Sequence, residues 1–188
     1  LDKRQIRAGL AEVIKYGIIR DPQLFSFLEK KARNLLSLKK RDFEYIVKRC
    51  SLIKARIVEK DEREERGLRT ILNFGHTIGH GLEAASNYKL YNHGEAVAIG
   101  MLVAAQISER LNLIPPRTRL RIENIIKQAG LPTKIIKVSS KSIINAHYRD
   151  KKFKGLKNRF VLIRGIAKTK LVENIPLKLI KEALRGRS

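Results

Sequence analysis

His76 and His80 stand four residues apart in "LNFGHTIGHGLE", and His93 opens the nearby "HGEAVAIGM". Three of the chain's four histidines thus fall within 18 residues. Imidazoles on neighbouring helices are natural ligands for a divalent cation, the more so when a carboxylate joins them. A single histidine is most often a hydrogen-bonded core residue, but a cluster of three shifts that balance. The zinc-peptidase arrangement is excluded, because no glutamate follows the first histidine of "HTIGH" to act as general base. Spacing alone pairs His76 with His80 as ligands and finds no carboxylate.

On one continuous helix, Arg69, Asn73, His76 and His80 would share a single stripe, at steps of four, three and four. Burying such a stripe without partners is costly, so it is expected to line a wet or ligand-filled cleft. Gly75 and Gly79 beside it would admit another backbone or a ligand at close range. Among the acidic residues, Glu12 is singled out by its place between apolar neighbours and Lys15. Its plainest role is an i, i+3 ion pair at the surface; the alternative is the missing carboxylate.

The elements that must position these groups read as helices. Residues 4–20 place Ile6, Leu10, Val13, Ile14 and Ile18 at helical steps. Asp21 and Pro22 then make a start signal for a second helix. "RDFEYIVKRCSLIKARIVEKD" follows as a longer one, with Phe43, Ile46, Val47, Cys50, Ile53 and Ile57 on one side. "TILNFGHTIGHGLEAAS" and "HGEAVAIGMLVAAQISERLNL" are both long enough for helices, the second opening at Asn92 or His93. Pro115 and Pro116 end it and start another that closes at Gly130. Ser139 or Ser140 caps a short helix through His147, and "PLKLIKEALR" forms the last. Only residues 158–173 break the pattern, with β-branched and aromatic residues around a Gly165 turn, as in a small hairpin. The expected fold is a single, mainly α-helical domain over residues 1–188.

A chain of 188 residues with 43% hydrophobic composition can bury a substantial core. Its single cysteine, Cys50, rules out an internal disulfide and fits a reducing, cytoplasmic setting. No apolar run approaches the ~20 residues that cross a bilayer. Net charge is +23, and residues 116–188 hold 20 Lys/Arg against 4 Asp/Glu. Such an excess attracts nucleic acid, anionic membranes or a phosphorylated small molecule. Zinc-finger spacing and base-stacking aromatic motifs are both missing, which counts against a dedicated nucleic-acid module.

Four segments in order, "AGLAEVIKYGIIRD", "LRTILNFGHTIGHGLE", "HGEAVAIGM" and "DKKFKGLKNRFVLIRGIAKTKLV", resemble the C-terminal domain of 3-dehydroquinate synthase. The resemblance implies the multi-helix fold of that domain and a metal-dependent, NAD-using carbon–oxygen lyase of the shikimate pathway. Its substrate would be 3-deoxy-D-arabino-heptulosonate 7-phosphate. The implied metal ligands, for zinc or cobalt, are Glu12, His76 and His93, so the spacing argument and the resemblance disagree over His80. The resemblance sets His80 instead on the substrate phosphate, with Asn73 and Lys151 or Lys152. It puts Lys54 and Arg69 on the substrate carboxylate and Lys15 near the hydroxyls, with Lys15, His80 and Asn73 the catalytic set.

It further implies an N-terminal NAD-binding domain, absent from this chain, which shows no glycine-rich phosphate loop after a strand. The chain would then be a fragment or half of a split enzyme, inactive alone, and part of a homodimer when whole. The departures are small: Asp2 and Gln5 replace a common Pro and Glu, and "DEREERGLR" carries an extra residue expected in a loop. Inosose and valiolone synthases and metal-dependent polyol dehydrogenases would share the metal triad. A basic helical nucleic-acid-binding module is the reading from another class.

Overall fold

Helix α5, His93–Arg110, is apolar or small at nearly every position, and its residues from Ala96 to Ala105 are all buried. A helix without a polar face belongs in the middle of a domain. The computed structural model, which describes residues 2–31, 34, 37, 39–61, 67–149 and 158–187, puts it there. Around it lie α1 (Lys3–Ile19), α4 (His76–Ala85), α6 (Pro116–Gln128), α8 (Leu177–Arg185) and the strand β1 (Arg159–Gly165). Helix α2 (Pro22–Lys31) packs on α1, and α7 (Ser140–Arg149) on α4. Helix α3 (Lys40–Lys60) lies further out, beside α1. Strand β2 (Lys168–Glu173) pairs antiparallel with β1, Phe160 opposite Val172 and Leu162 opposite Lys170. Among the described residues the fold is mainly helical with one small hairpin.

Local chemistry explains most boundaries. Asp2 accepts the backbone N–H of Gln5 while the Gln5 side chain accepts that of Asp2, a reciprocal cap on α1 built from the two departing residues. Asn92 and Glu95 do the same for α5. Asp21 Oδ1 accepts from Gln23 and Leu24 N–H at 3.1 and 3.0 Å, opening α2 where Pro22 is harmless. Ser139 Oγ accepts from Ser142 N–H at 3.0 Å and starts α7, which runs two residues past the expected end at His147. Residues 160–163 of β1 are buried without alternation, because the strand is covered on both faces. Ser108 of α5 ties it in by accepting from Ile163 N–H at 3.1 Å.

One expectation fails. "TILNFGHTIGHGLEAAS" does not form one helix: a 3-10 turn, Leu68–Asn73, ends at Phe74, and Gly75 is left-handed at φ 82° before α4 begins at His76. A side chain on Gly75 would meet Met101 Cγ at 2.7 Å and Val97 O at 2.8 Å, so close approach to α5 dictates the break. Arg69 and Asn73 therefore do not continue the stripe of His76 and His80. Helix α3 forms as expected, and the side that carries its apolar residues is half covered. Ile46, Ile53 and Ile57 are buried, whereas Phe43 is 38% and Val47 61% exposed. The loop insertion expected in "DEREERGLR" falls largely outside the described residues.

Candidate metal centre

Glycines bring three helices close enough for their side chains to converge. A Cβ on Gly100 would run into the Gly75 carbonyl, and one on Gly79 would lie 3.3 Å from Ala96 backbone atoms, which seats α4 against α5. A Cβ on Gly94 would strike the Ala8 backbone, which seats α5 against α1. The glycines beside the histidines thus admit a helix backbone. They put the first residues of α4 and α5, His76 and His93, beside Glu12 in the third turn of α1.

Glu12 Oε1 lies 3.8 Å from Nε2 of His76 and 3.8 Å from Nε2 of His93. One donor atom from each of the three residues lies within 4.8 Å of the others. An ion held by N and O ligands at about 2.0–2.2 Å needs donors roughly 3–4 Å apart, so this set fits one. Both rings present Nε2 because Nδ1 is otherwise engaged. His76 Nδ1 donates to the Phe74 carbonyl at 3.3 Å, and His93 Nδ1 donates to Glu83 Oε1 at 3.2 Å. Glu12 Oε1 is buried and accepts no hydrogen bond among the described residues. A buried carboxylate oxygen without a donor is rare and asks for a cation.

The other oxygen of Glu12 takes Lys15 Nζ at 2.6 Å. This is the i, i+3 pair expected from sequence, but not a surface one: Lys15 is 3% exposed. Burial pulls its ammonium below the usual lysine range, an effect that Glu12 opposes and the charge of Lys54 reinforces. Burial also drives His76 down to about 4, with Lys15 adding to the effect and Glu12 opposing it. His76 is therefore neutral at pH 7, the form that binds a metal.

The remaining candidates spread around this cluster. His80, one turn beyond His76, is exposed, its ring centroid 5.4 Å from that of His76 and 6.1 Å from that of His93. Donor atoms of His80, Glu83 and His93 also lie within 4.8 Å of one another. The set with Glu12 fits an ion better, since Glu83 is already committed to His93 whereas Glu12 Oε1 has no donor. Lys54 is exposed on α3, and its charge acts on Lys15. Arg69 is half-buried in the 3-10 turn, where its backbone N–H donates to Asp61 Oδ2 at 3.2 Å. Asn73 ends that turn and is exposed. Lys151 and Lys152 lie outside the described residues.

Sequence reasoning passed over Glu83. The signal was available, since Glu83 follows His76 by seven residues and so shares its helix face. A cavity of about 760 Å³ opens elsewhere, between the start of α2, α3, the 3-10 turn and β2, lined by Arg20, Asp21, Arg49, Arg56, Lys60 and Ile71 among others. It includes none of the clustered ligands. The candidate site rests on donor chemistry, not on the size of a hollow.

No described helix is long and apolar enough to cross a membrane. The family described as 3-dehydroquinate synthase C-terminal matches residues 9–153. The 3-dehydroquinate synthase of Caldanaerobacter subterraneus subsp. tengcongensis is 47% identical over 184 residues, covering 96% of this chain and 51% of that protein. That of Nostoc punctiforme is 44% identical over 189 residues, covering 99% of this chain and 52% of the relative. The chain spans about half the length of the curated relatives it matches.

Among solved structures, a 2-epi-5-epi-valiolone synthase from Streptomyces hygroscopicus superposes with a TM-score of 0.88 at 24% identity, over 99% of this chain and 52% of that one. A 2-deoxy-scyllo-inosose synthase complexed with carbaglucose-6-phosphate, NAD+ and Co2+ gives a TM-score of 0.86 at 27% identity, over 100% of this chain and 54% of that one. With the fold, the ordered motifs and the sequence match in agreement, the chain belongs to the 3-dehydroquinate synthase C-terminal family.

Proposed function

We propose that the chain is the metal- and substrate-binding half of a 3-dehydroquinate synthase. It acts with an NAD-binding half, in cis or as a separate chain, to convert 3-deoxy-D-arabino-heptulosonate 7-phosphate to 3-dehydroquinate and phosphate. The observation that carries the reading is Glu12 Oε1, buried with no donor among the described residues and equidistant from two imidazole nitrogens. The complex of the inosose synthase with NAD+, Co2+ and a carbocyclic sugar phosphate supports the same cofactors here, with zinc the alternative ion. Identities above 40% to 3-dehydroquinate synthases favour their substrate over those of the more distant cyclases.

When bound, the ion and NAD supply Lewis acidity at the substrate hydroxyls and a temporary oxidation of one of them. Glu12, His76 and His93 hold the ion, and Lys15 pins the far oxygen of Glu12. Lys15 also faces the hydroxyls, where an amine brought down by burial exchanges protons more readily than a free lysine. Lys54 and Arg69 take the carboxylate, and His80 and Asn73 take the phosphate together with Lys151 or Lys152. The leaving phosphate carries off the acidified proton on one of its own oxygens. What remains for these side chains is to hold the product while the ring closes. The homodimer is part of the same proposal.

Mixing the chain with the N-terminal half of a family enzyme, NAD and a divalent metal tests the reading. Phosphate release from the heptulosonate phosphate is expected. A metal-loaded mixture that releases none, or that prefers a sugar phosphate without a carboxylate, would refute it.

A further inference from the structure

Glu83 is 8% exposed, in the third turn of α4. A carboxylate placed so deep is costly unless it has a partner. Its partner is the ring of His93, across the gap between α4 and α5: Oε1 lies 3.2 Å from Nδ1. The backbone around Glu83 is itself tied down, since its carbonyl accepts from Ser86 Oγ at 3.0 Å and Tyr88 N–H at 2.8 Å. The carboxylate is thus a fixed point.

His93, by contrast, needs fixing. It is the first residue of α5 and its side chain is 49% exposed, so packing holds the ring only in part. Rotation about χ2 is broad and nearly two-fold, and a half-turn would put Cδ2 in the place of Nδ1 and Cε1 in the place of Nε2, turning both nitrogens away from their present partners. A carboxylate at Nδ1 selects the tautomer with a proton there, leaving the Nε2 lone pair bare. His76 receives the same service from the Phe74 carbonyl, a neutral acceptor within its own segment.

We propose that Glu83 is a positioning residue for His93, holding its ring so that Nε2 faces Glu12 and His76. This rests on the metal-centre reading and deepens it. The rival use of Glu83 is as a ligand, with His80 and His93, of a separate ion. An ion there would draw Glu83 away from the His93 N–H, so the two uses exclude each other.

The test is cobalt titration of the 188-residue chain and its Glu83→Ala, Glu83→Gln and Glu12→Ala variants. Visible absorption and chelator competition report binding, and circular dichroism reports folding. In parallel, ¹⁵N NMR of the metal-free chain reads the His93 ring nitrogens. The metal-free parent is expected to show His93 protonated at Nδ1. Glu83→Ala is expected to fold, to lose that single tautomer and to bind cobalt roughly 10- to 100-fold more weakly. Glu83→Gln, whose amide oxygen still accepts from Nδ1, should restore the tautomer and most of the affinity.

Unchanged affinity and tautomer in Glu83→Ala would overturn the proposal. So would loss of a second equivalent of cobalt with the first intact, since Glu83 would then be a ligand. If Glu83→Ala does not fold, the parent tautomer and Glu83→Gln decide. Failure of the metal centre itself looks different: the parent takes up no cobalt, or Glu12→Ala binds as well as the parent. The metal-free tautomer still judges Glu83 in that case.

Discussion

Lys15 Nζ lies 2.6 Å from Glu12 Oε2 on the same face of α1, and this contact turns the other oxygen of Glu12 toward the two imidazoles. An ordinary ion pair thereby leaves one carboxylate oxygen free of hydrogen bonds at the point where three helices meet. The contact also explains why the cluster tolerates a buried lysine, since the carboxylate opposes the penalty of burying the ammonium.

Removing that carboxylate should leave two imidazoles, which hold zinc poorly on their own. Glu12→Ala is expected to abolish tight zinc binding, measured by competition with a chromophoric chelator, while His80→Ala keeps it. Tight binding by Glu12→Ala, or metal loss in His80→Ala, would return the assignment to the His76–His80 pair suggested by spacing.

The metal-free chain should lose stability as pH falls. His76 is held near 4 when folded and titrates near 6.5 when unfolded, so between these values the unfolded chain binds the extra proton. Stability therefore declines as pH drops from about 6.5 to about 4, by at most about 3 kcal/mol from this residue. Urea midpoints in the presence of a chelator would show it, and His76→Asn should flatten this part of the profile. An equal slope in both proteins would remove His76 from the account.

The helix contacts make a steric prediction with an internal control. Gly94→Ala drives a methyl into the Ala8 backbone and should cost about 1–3 kcal/mol, with zinc affinity falling as His93 moves off Glu12. Gly9→Ala, in the same region of α1, meets nothing within 4 Å and should stabilise by about 0.5–1 kcal/mol through helix propensity. Thermal melts with zinc titrations compare the two. Equal tolerance of both changes would contradict the packing described.

In the reconstituted enzyme, the cationic residues should divide by the end of the substrate they hold. Arg69→Ala should weaken capture of the heptulosonate phosphate by roughly 2 to 5 kcal/mol, yet barely affect an analogue without the carboxylate. His80→Ala should impair phosphate-bearing ligands with metal content unchanged. Equal losses for both variants on both analogues would end that division of roles.

Much of the fold was legible because its signals are local. Asp21–Pro22, Asn92 and Pro115–Pro116 mark helix starts through chemistry confined to a few residues. The break at Gly75 was not, because its cause is the approach of Met101 and Val97 from another helix. The exposed flank of α3 was likewise hidden: periodicity records which residues share a side, not whether anything covers it. At the site, spacing found the histidines but not their carboxylate partner Glu12, which comes from a helix more than 60 residues away in sequence. Only the motif resemblance reached across that gap. Glu83 shares a helix face with His76, but its contact with His93 crosses to another helix, and spacing along one helix does not show that.

Arg4 near the start of α1 grips Glu95 near the start of α5 with two charge-assisted bonds of 2.8 and 2.7 Å, while Glu95 also caps its own helix. The spacing of Glu12 from His93 is thus set by a fastening outside the cluster that needs no ion. Little reorganisation remains for a metal to drive. The speed of uptake should then follow how fast each aqueous ion sheds its water. Sluggish ions would load slowly, and labile ones almost on encounter.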